Sequence, residues 1–138
     1  MSEASLPRPV VVPAWRAPHG YADGMTGRGR VVVTAGIIGW NPTTLDIASD
    51  ELADQAGQAL RNIVEVLAAA GAEPRHLVRL TWYLTDRAAY IAARPAIGEL
   101  YRATIGRHFP AMAVVFVSGL LEARAKVEIE ATAIIPDE

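Results

Sequence analysis

The stretch Leu77-Val78-Arg79-Leu80-Thr81-Trp82-Tyr83-Leu84-Thr85 decides the fold. It is rich in β-branched and aromatic side chains and predicts a strand, and what flanks it predicts helices. Upstream, Leu52, Ala56, Ala59, Leu60, Ile63, Leu67 and Ala70 recur at helical spacing. Ser49 or Asp50 stands where a cap is needed, Gly71 ends the helix, and Pro74 prevents its continuation. Downstream, Asp86 is a good N-cap for a second helix. Pro95 interrupts that stretch and predicts a break at Arg94, with Pro95 in a fresh first turn. Ala96, Leu100, Ala103 and Thr104 then face the sheet, and Gly106 closes the helix.

Farther out, Val10-Val11-Val12 lies between Pro9 and Pro13 and suits an edge strand. Tyr21 to Met25 and Arg30 to Gly36 read as a hairpin whose turn is Gly27-Arg28-Gly29. Asn41-Pro42-Thr43-Thr44 is a loop. Ala113 to Ser118 and Lys126 to Ile135 are further strands, with Gly119 to Arg124 joining them as a hairpin. The order β-β-β-α-β-α-β-β defines an α+β protein with one mixed sheet and two helices. A chain of 138 residues fits one core. We divide it into an N-terminal arm over residues 1–17, carrying the edge strand, and a single domain over residues 18–138.

The segments RVVVTAG, LTWYLT and MAVVFV are apolar at both parities, so both faces of the sheet call for burial. Two helices cover one face. A homo-oligomer with its sheets packed inward covers the other; the alternative is that loops and the N-terminal arm fold over it.

Lys and Arg number 13 against 15 Asp and Glu, a formal charge of −2 that favours neither nucleic acid nor an anionic membrane. Cysteine is absent, which excludes disulfides, thiolate catalysis and Cys-ligated metals together. The N-terminal region lacks a signal-peptide core, no apolar run approaches a membrane span, and a cytoplasmic protein is expected.

For chemistry, the last strand matters most. Val127, Ile129, Ala131 and Ala133 point one way, and Lys126, Glu128, Glu130 and Thr132 the other. A carboxylate held there in a partly dry cleft is able to act as general acid or base. An ordinary polar face, or pairing with Lys126 or Arg124, is the alternative. His19, His76 and His108 are scattered, with no metal-ligand spacing, and His76 reads as a surface residue. The serines form no nucleophile elbow, Gly27-x-Gly29 is a turn rather than a phosphate cradle, and the arginines are dispersed.

A set of short segments adds to this. They are Gly20-Tyr21, Val33-Thr34-Ala35-Gly36 with Asn41-Pro42, Gln55 to Ile63 (QAGQALRNI), Ala70-Gly71-Ala72, Leu80 to Asp86 (LTWYLTD), Phe109-Pro110-Ala111, and Val127 to Ala131 (VEIEA). In this order and spacing, across roughly residues 18–135, the chain resembles the Rid (reactive intermediate deaminase, YjgF-like) family. The resemblance implies a chorismate-mutase-like fold and a homotrimer with three clefts between subunits. It also implies hydrolysis of imines or enamines derived from amino acids, without metal or cofactor. In such proteins a Tyr from the first hairpin and an Arg after Phe-Pro-Ala surround the substrate, the Arg grips its carboxylate, and a Glu on the last strand positions or activates water. The Tyr falls on Tyr21, the Glu on Glu128, and Gly36 on the cleft floor.

The Arg falls on Met112. A guanidinium offers a carboxylate two parallel charge-assisted bonds, and a thioether offers none. Burying a carboxylate unpartnered against Met112 and Val114 costs on the order of several kcal/mol. Ile37 stands where the family often has Gln, and Trp40 follows, so a larger and more apolar substrate is expected. Three readings result. The first is a hydrolase with Glu128 as base on water, the Val114 carbonyl holding that water, and Arg94 as a substitute cation. The second is a non-catalytic small-metabolite-binding or regulatory trimer, with Met112 filling space. The third, a nuclease, is disfavoured by the charge.

Overall fold

Val127, Ile129, Ala131 and Ala133 are all buried, at 0–3% exposure, and the strand that carries them is the centre of the fold. In the computed structural model, residues 5–137 are described. Residues 1–4 of the expected arm, and Glu138, lie outside the described residues. The strands are β1 (Arg8–Pro9), β2 (Met25–Thr26), β3 (Gly29–Val33), β4 (Ile37–Ile38), β5 (Leu77–Leu84), β6 (Ala111–Phe116) and β7 (Val127–Pro136). The helices are α1 (Leu52–Ala69) and α2 (Arg87–Thr104), and a 3-10 turn, Pro74–His76, precedes β5.

The main sheet has the order β3-β7-β5-β6, with β4 also paired to β7. All its pairings are antiparallel except β5 with β6. It is a mixed sheet on two helices, the α+β, YjgF-like architecture expected. The core joins Ala56, Ala59, Leu60, Ile63 and Leu67 of α1 to Leu77, Leu80 and Leu84 of β5 and to the inward residues of β7. Gly57 lets α2 approach closely, because a Cβ there would stand 3.1 Å from Leu100. Gly71, at φ +82°, ends α1 in the left-handed region that glycine tolerates best.

The strand expected over Arg30 to Gly36 ends at Val33, and a further short strand that was not expected, β4, follows at Ile37. Thr34 Oγ1 accepts from the Ala131 amide at 3.0 Å, substituting for a backbone carbonyl at the end of β3. The chain then loops and re-pairs as β4, with Ile37 opposite Ile129. Two buried amides fix the surroundings. Asn62 Nδ2 donates to the carbonyls of Ile38 and Trp40. Gln55 Nε2 donates to Ser49 and Arg124 carbonyls while its Oε1 accepts from the Lys126 amide at 2.8 Å. These bonds satisfy polar groups that burial would otherwise penalise, and they set the start of β7.

Several expectations are corrected. The two predicted hairpins do not form. After the Gly27–Gly29 turn, β3 pairs with β7, whereas β2 pairs with β1. Gly29 lies so close to the backbone of Ile135 and Pro136 that a Cβ would overlap it. At the other end, α2 returns β6 parallel to β5 and takes that edge, so β7 occupies the opposite edge of β5. The loop after β6 therefore crosses the end of β5, with the Val117 amide on the Leu84 carbonyl. The edge strand is Arg8–Pro9 rather than Val10–Val12. Pairing ends with the Val10 amide on Gly24, and Val11 is 77% exposed. Neither Ser49 nor Asp50 caps α1; Glu51 holds the N-cap position without a side-chain bond, and Ser49 instead links the Glu51 amide to Asp54.

The break at Arg94 is also absent, and α2 runs through Pro95. Pro95 and Ile91, whose carbonyl loses its amide partner, both lie on the exposed face, where solvent can take that carbonyl. The helical phase is therefore not reset. Ile97 and Tyr101 are buried, Leu100 and Thr104 are half-buried, and Ala96 and Ala103 face outward. His76 is buried rather than at the surface, its Nδ1 accepting from the Glu73 amide at 2.9 Å. Burial lowers its pKa from the ordinary value.

Asp86 does cap α2, its Oδ1 accepting from the Ala89 amide at 3.0 Å. Asp86→Ala is expected to lower stability by about 1 kcal/mol, read as a shifted urea midpoint at unchanged slope.

The second face of the sheet stands open in the single chain. Val31, Val33 and Val115 are 61%, 67% and 39% exposed, on the side that also carries Tyr83, Glu128 and Glu130. Among the described residues, no helix is long and apolar enough to cross a membrane.

Candidate functional site

Cross-strand register decides which site residues meet. Met112 lies opposite Leu80 and Val114 opposite Trp82, so both point to the helix-covered face. There they line a cavity of about 330 Å³ between the edge strand β6 and α2. Trp82, Tyr90 and Phe109 supply aromatic walls, and Gly20 reaches the cavity. The walls are braced. Tyr101 stacks on Phe109 at 5.4 Å between centroids, Tyr90 meets Phe116 edge-on at 6.0 Å, and the Tyr101 hydroxyl donates to the His108 carbonyl at 2.6 Å. Burial pushes the Tyr101 phenol well above its ordinary pKa, so it stays neutral. His108 Nε2 lies 2.7 Å from the Leu77 carbonyl.

Tyr21 stands next to this cavity. Its neighbour Ala22 donates a backbone bond to Pro110, which ties the Tyr21 segment to Phe109-Pro110-Ala111. Tyr21 itself is 45% exposed and shares Phe109 as a wall with the apolar groove of the N-terminal arm.

Glu128 lies elsewhere. It pairs with Tyr83 on the open face, half-buried, and presses on Gly36, where an added Cβ would overlap the carboxylate. Only glycine leaves that carboxylate its place. Beside it, Glu130 Oε1 accepts from the Tyr83 hydroxyl at 2.6 Å. That hydrogen bond, above all, raises the Tyr83 pKa. Arg124 and Lys126 do not pair with either glutamate. Arg124 binds the Asp50 carboxylate at 3.0 Å and Lys126 reaches the Asp50 carbonyl.

The structure thus brings Met112, Val114 and Arg94 together, with Tyr21 adjoining, and separately brings Gly36 to Glu128. The two groups occupy opposite faces of one sheet. Ile37 sides with neither, packing against the core and lining a groove with Trp40 and Asn62.

Reading the sequence also missed part of the cavity wall. Tyr90, Gly98 and Arg102 join Arg94, which the sequence does single out, in one stripe of α2 along the cavity, recurring every four residues. The signal was there in the spacing, but a break at Pro95 would have destroyed it. Trp82 was read only as a strand residue. Among the described residues, no group of three or more His, Asp or Glu side chains could hold a metal ion.

A mixed sheet on two helices, with an aromatic cavity at its parallel edge and a glutamate pressed on a glycine across the sheet, defines a small α+β protein with two separate candidate clusters. A family model described as endoribonuclease L-PSP matches residues 13–135, and the chain belongs to that family, the YjgF/Rid family. The human 2-iminobutanoate/2-iminopropanoate deaminase is 34% identical over 105 residues, 76% of this chain and 73% of that protein. The chloroplastic Reactive Intermediate Deaminase A of Arabidopsis thaliana is 30% identical over 137 residues, 96% of this chain and 69% of that protein. Among solved structures, the Rid-family protein YyfB of Yersinia pestis superposes with a TM-score of 0.82 at 28% identity, covering 94% of this chain and 98% of that one.

Proposed function

We propose that the protein is a cofactor-independent imine or enamine deaminase, acting as a cytosolic homotrimer on a substrate more apolar than a small imino acid. The observation that carries this reading is the carboxylate of Glu128, half-buried, unclaimed by Arg124 or Lys126, and accommodated by the missing side chain of Gly36. Deaminase relatives support the reaction class. The open face with Val31 and Val33 supports the trimer, because a second copy both covers it and can bring its own Glu128 to the cavity of Met112.

In the reaction, Glu128 takes a proton from water as the oxygen bonds to the imine carbon, and the Val114 carbonyl accepts the water's other hydrogen. The C=N pair moves to nitrogen, which takes that proton to give a carbinolamine. The carbinolamine hydroxyl then gives its proton by way of Glu128 to nitrogen. The C–N bond breaks with its electron pair leaving on ammonia, and the oxygen closes the C=O of the product. One water is consumed per turnover. Tyr21 and Gly36 border the substrate, and Met112 and Val114 contact its apolar part. Arg94 supplies a cation at the cavity wall.

One observation favours a second reading, a binding trimer without turnover: Met112 packs against the core, as a space-filling residue does. The test is ammonia release from imines generated in situ by an amino-acid oxidase, from small acids to bulky aromatic ones. Met112→Arg is expected to raise kcat/KM for small imino acids roughly 10- to 100-fold, as a restored charged hydrogen bond does. Silence of both proteins toward every imine, in a well-folded trimer, would establish the binding reading. RNA cleavage is opposed by the net charge of −2, and a salt-sensitive shift with single-stranded RNA would revive it.

A further inference from the structure

The cavity beside Met112 is walled in part by a buried tryptophan. Trp82 is 4% exposed, and its indole Nε1 has no hydrogen-bond partner. Its side chain lines the cavity. The Nε1 itself has essentially no accessible surface, so the indole offers a ligand its apolar ring rather than a hydrogen bond, and its N–H reports on contacts at that wall.

A cation stands on the facing helix. Gly98 is one turn before Arg102, and a Cβ on Gly98 would lie 3.3 Å from Arg102 Nη1. The guanidinium therefore folds back over Gly98, in the direction helical side chains lean, and joins the cavity wall. Among the described residues the ion pairs are Arg75 with Glu73 and Arg124 with Asp50, so Arg102 has no carboxylate of its own. Arg94 lines the same cavity two turns earlier, but Arg102 is the one that the absence of a side chain at Gly98 admits.

Resting on the deaminase reading, we infer that Arg102 is a specificity-determining residue. Reaching over Gly98, it holds the carboxylate of an α-imino or α-keto acid whose aromatic or branched side chain lies among Trp82, Tyr90 and Met112. The chain thus keeps a carboxylate clamp but delivers it from α2 instead of β6. A bulkier side chain then fits because Met112 is unbranched and apolar.

Binding, not turnover, tests this, so that failure of catalysis and failure of the clamp remain distinguishable. Phenylpyruvate and its carboxylate-free counterpart phenylacetone would be titrated calorimetrically into the full-length protein. The Trp82 indole N–H signal, assigned with Trp82→Phe, would be followed by NMR. The expected result is that phenylpyruvate shifts the Trp82 signal. Arg102→Met is expected to weaken its binding 10- to 100-fold and Arg102→Lys less, while phenylacetone binding stays within twofold. Arg102 is exposed on α2, so these variants keep the fold, which circular dichroism checks. The inference is overturned if wild type binds neither compound. It is also overturned if Arg102→Met weakens both equally, or if only Arg94→Met discriminates between them. Arg102-dependent binding without ammonia release would leave the clamp standing and overturn the deaminase reading instead.

Discussion

Glu128→Gln is expected to lower kcat for ammonia release by about 10²- to 10⁴-fold, the usual contribution of a positioned general base. Gln has nearly the shape of Glu, so it fits over Gly36, where any larger backbone neighbour would clash. It cannot take a proton from water. Affinity for the carbonyl product should therefore stay within about twofold, because in the proposed site Glu128 contacts the attacking water more than the ligand. The split between kcat and binding is diagnostic. Ammonia release measured against product affinity checks it, and unchanged turnover in Glu128→Gln would remove the glutamate from the chemistry. Glu130 is the internal control. Its carboxylate already accepts the Tyr83 hydroxyl, so it is committed to a bond that Glu128 lacks.

The parts of this protein legible from residues alone are those fixed by local periodicity. The α1 face, the β5 strand and the strict alternation of β7 needed only spacing, and the cap at Asp86 and the stop at Gly71 needed only local chemistry. The strand partners were not legible. A tight turn at Gly27–Gly29 looks like a hairpin turn, yet its two arms pair with β1 and β7. Nothing between residues 111 and 136 reveals that β5 will separate β6 from β7. Pro95 is a breaker by its own chemistry, and only its position on the exposed face explains why α2 continues.

The site divides the same way. Tyr21, Gly36, Met112 and Glu128 were identified through a resemblance, with Met112 standing out as a departure from it. That Met112 and Glu128 fall on opposite faces needs the register of two strand pairs, which no segment encodes by itself. Arg102 and Gly98 needed the uninterrupted phase of α2. The orphan at Trp82 is a property of packing, invisible until the surroundings of the indole are known.

The separation of the Met112 cavity from Glu128 leads to the second large effect. If the cleft is completed by another copy, activity requires the open face to be covered, and a charge placed there should abolish both. Val33 suits this test. It is 67% exposed in the single chain and lies opposite Thr132, away from the helices, so a change there leaves the core of one protomer untouched. In an inward-packed trimer, Val33→Glu buries a carboxylate from each copy without a partner. Each costs on the order of several kcal/mol, and like charges brought together add repulsion. Wild type is expected to sediment at three times 14.8 kDa, and Val33→Glu as a monomer with an unchanged far-ultraviolet spectrum. Ammonia release should fall below detection in the monomer, because Glu128 no longer meets the cavity of Met112. A Val33→Glu protein that remains trimeric and active would show that the copies meet elsewhere. A folded monomer that keeps full activity would show that one chain completes the site by itself, with the Glu128 half acting across the sheet edge rather than across a subunit boundary.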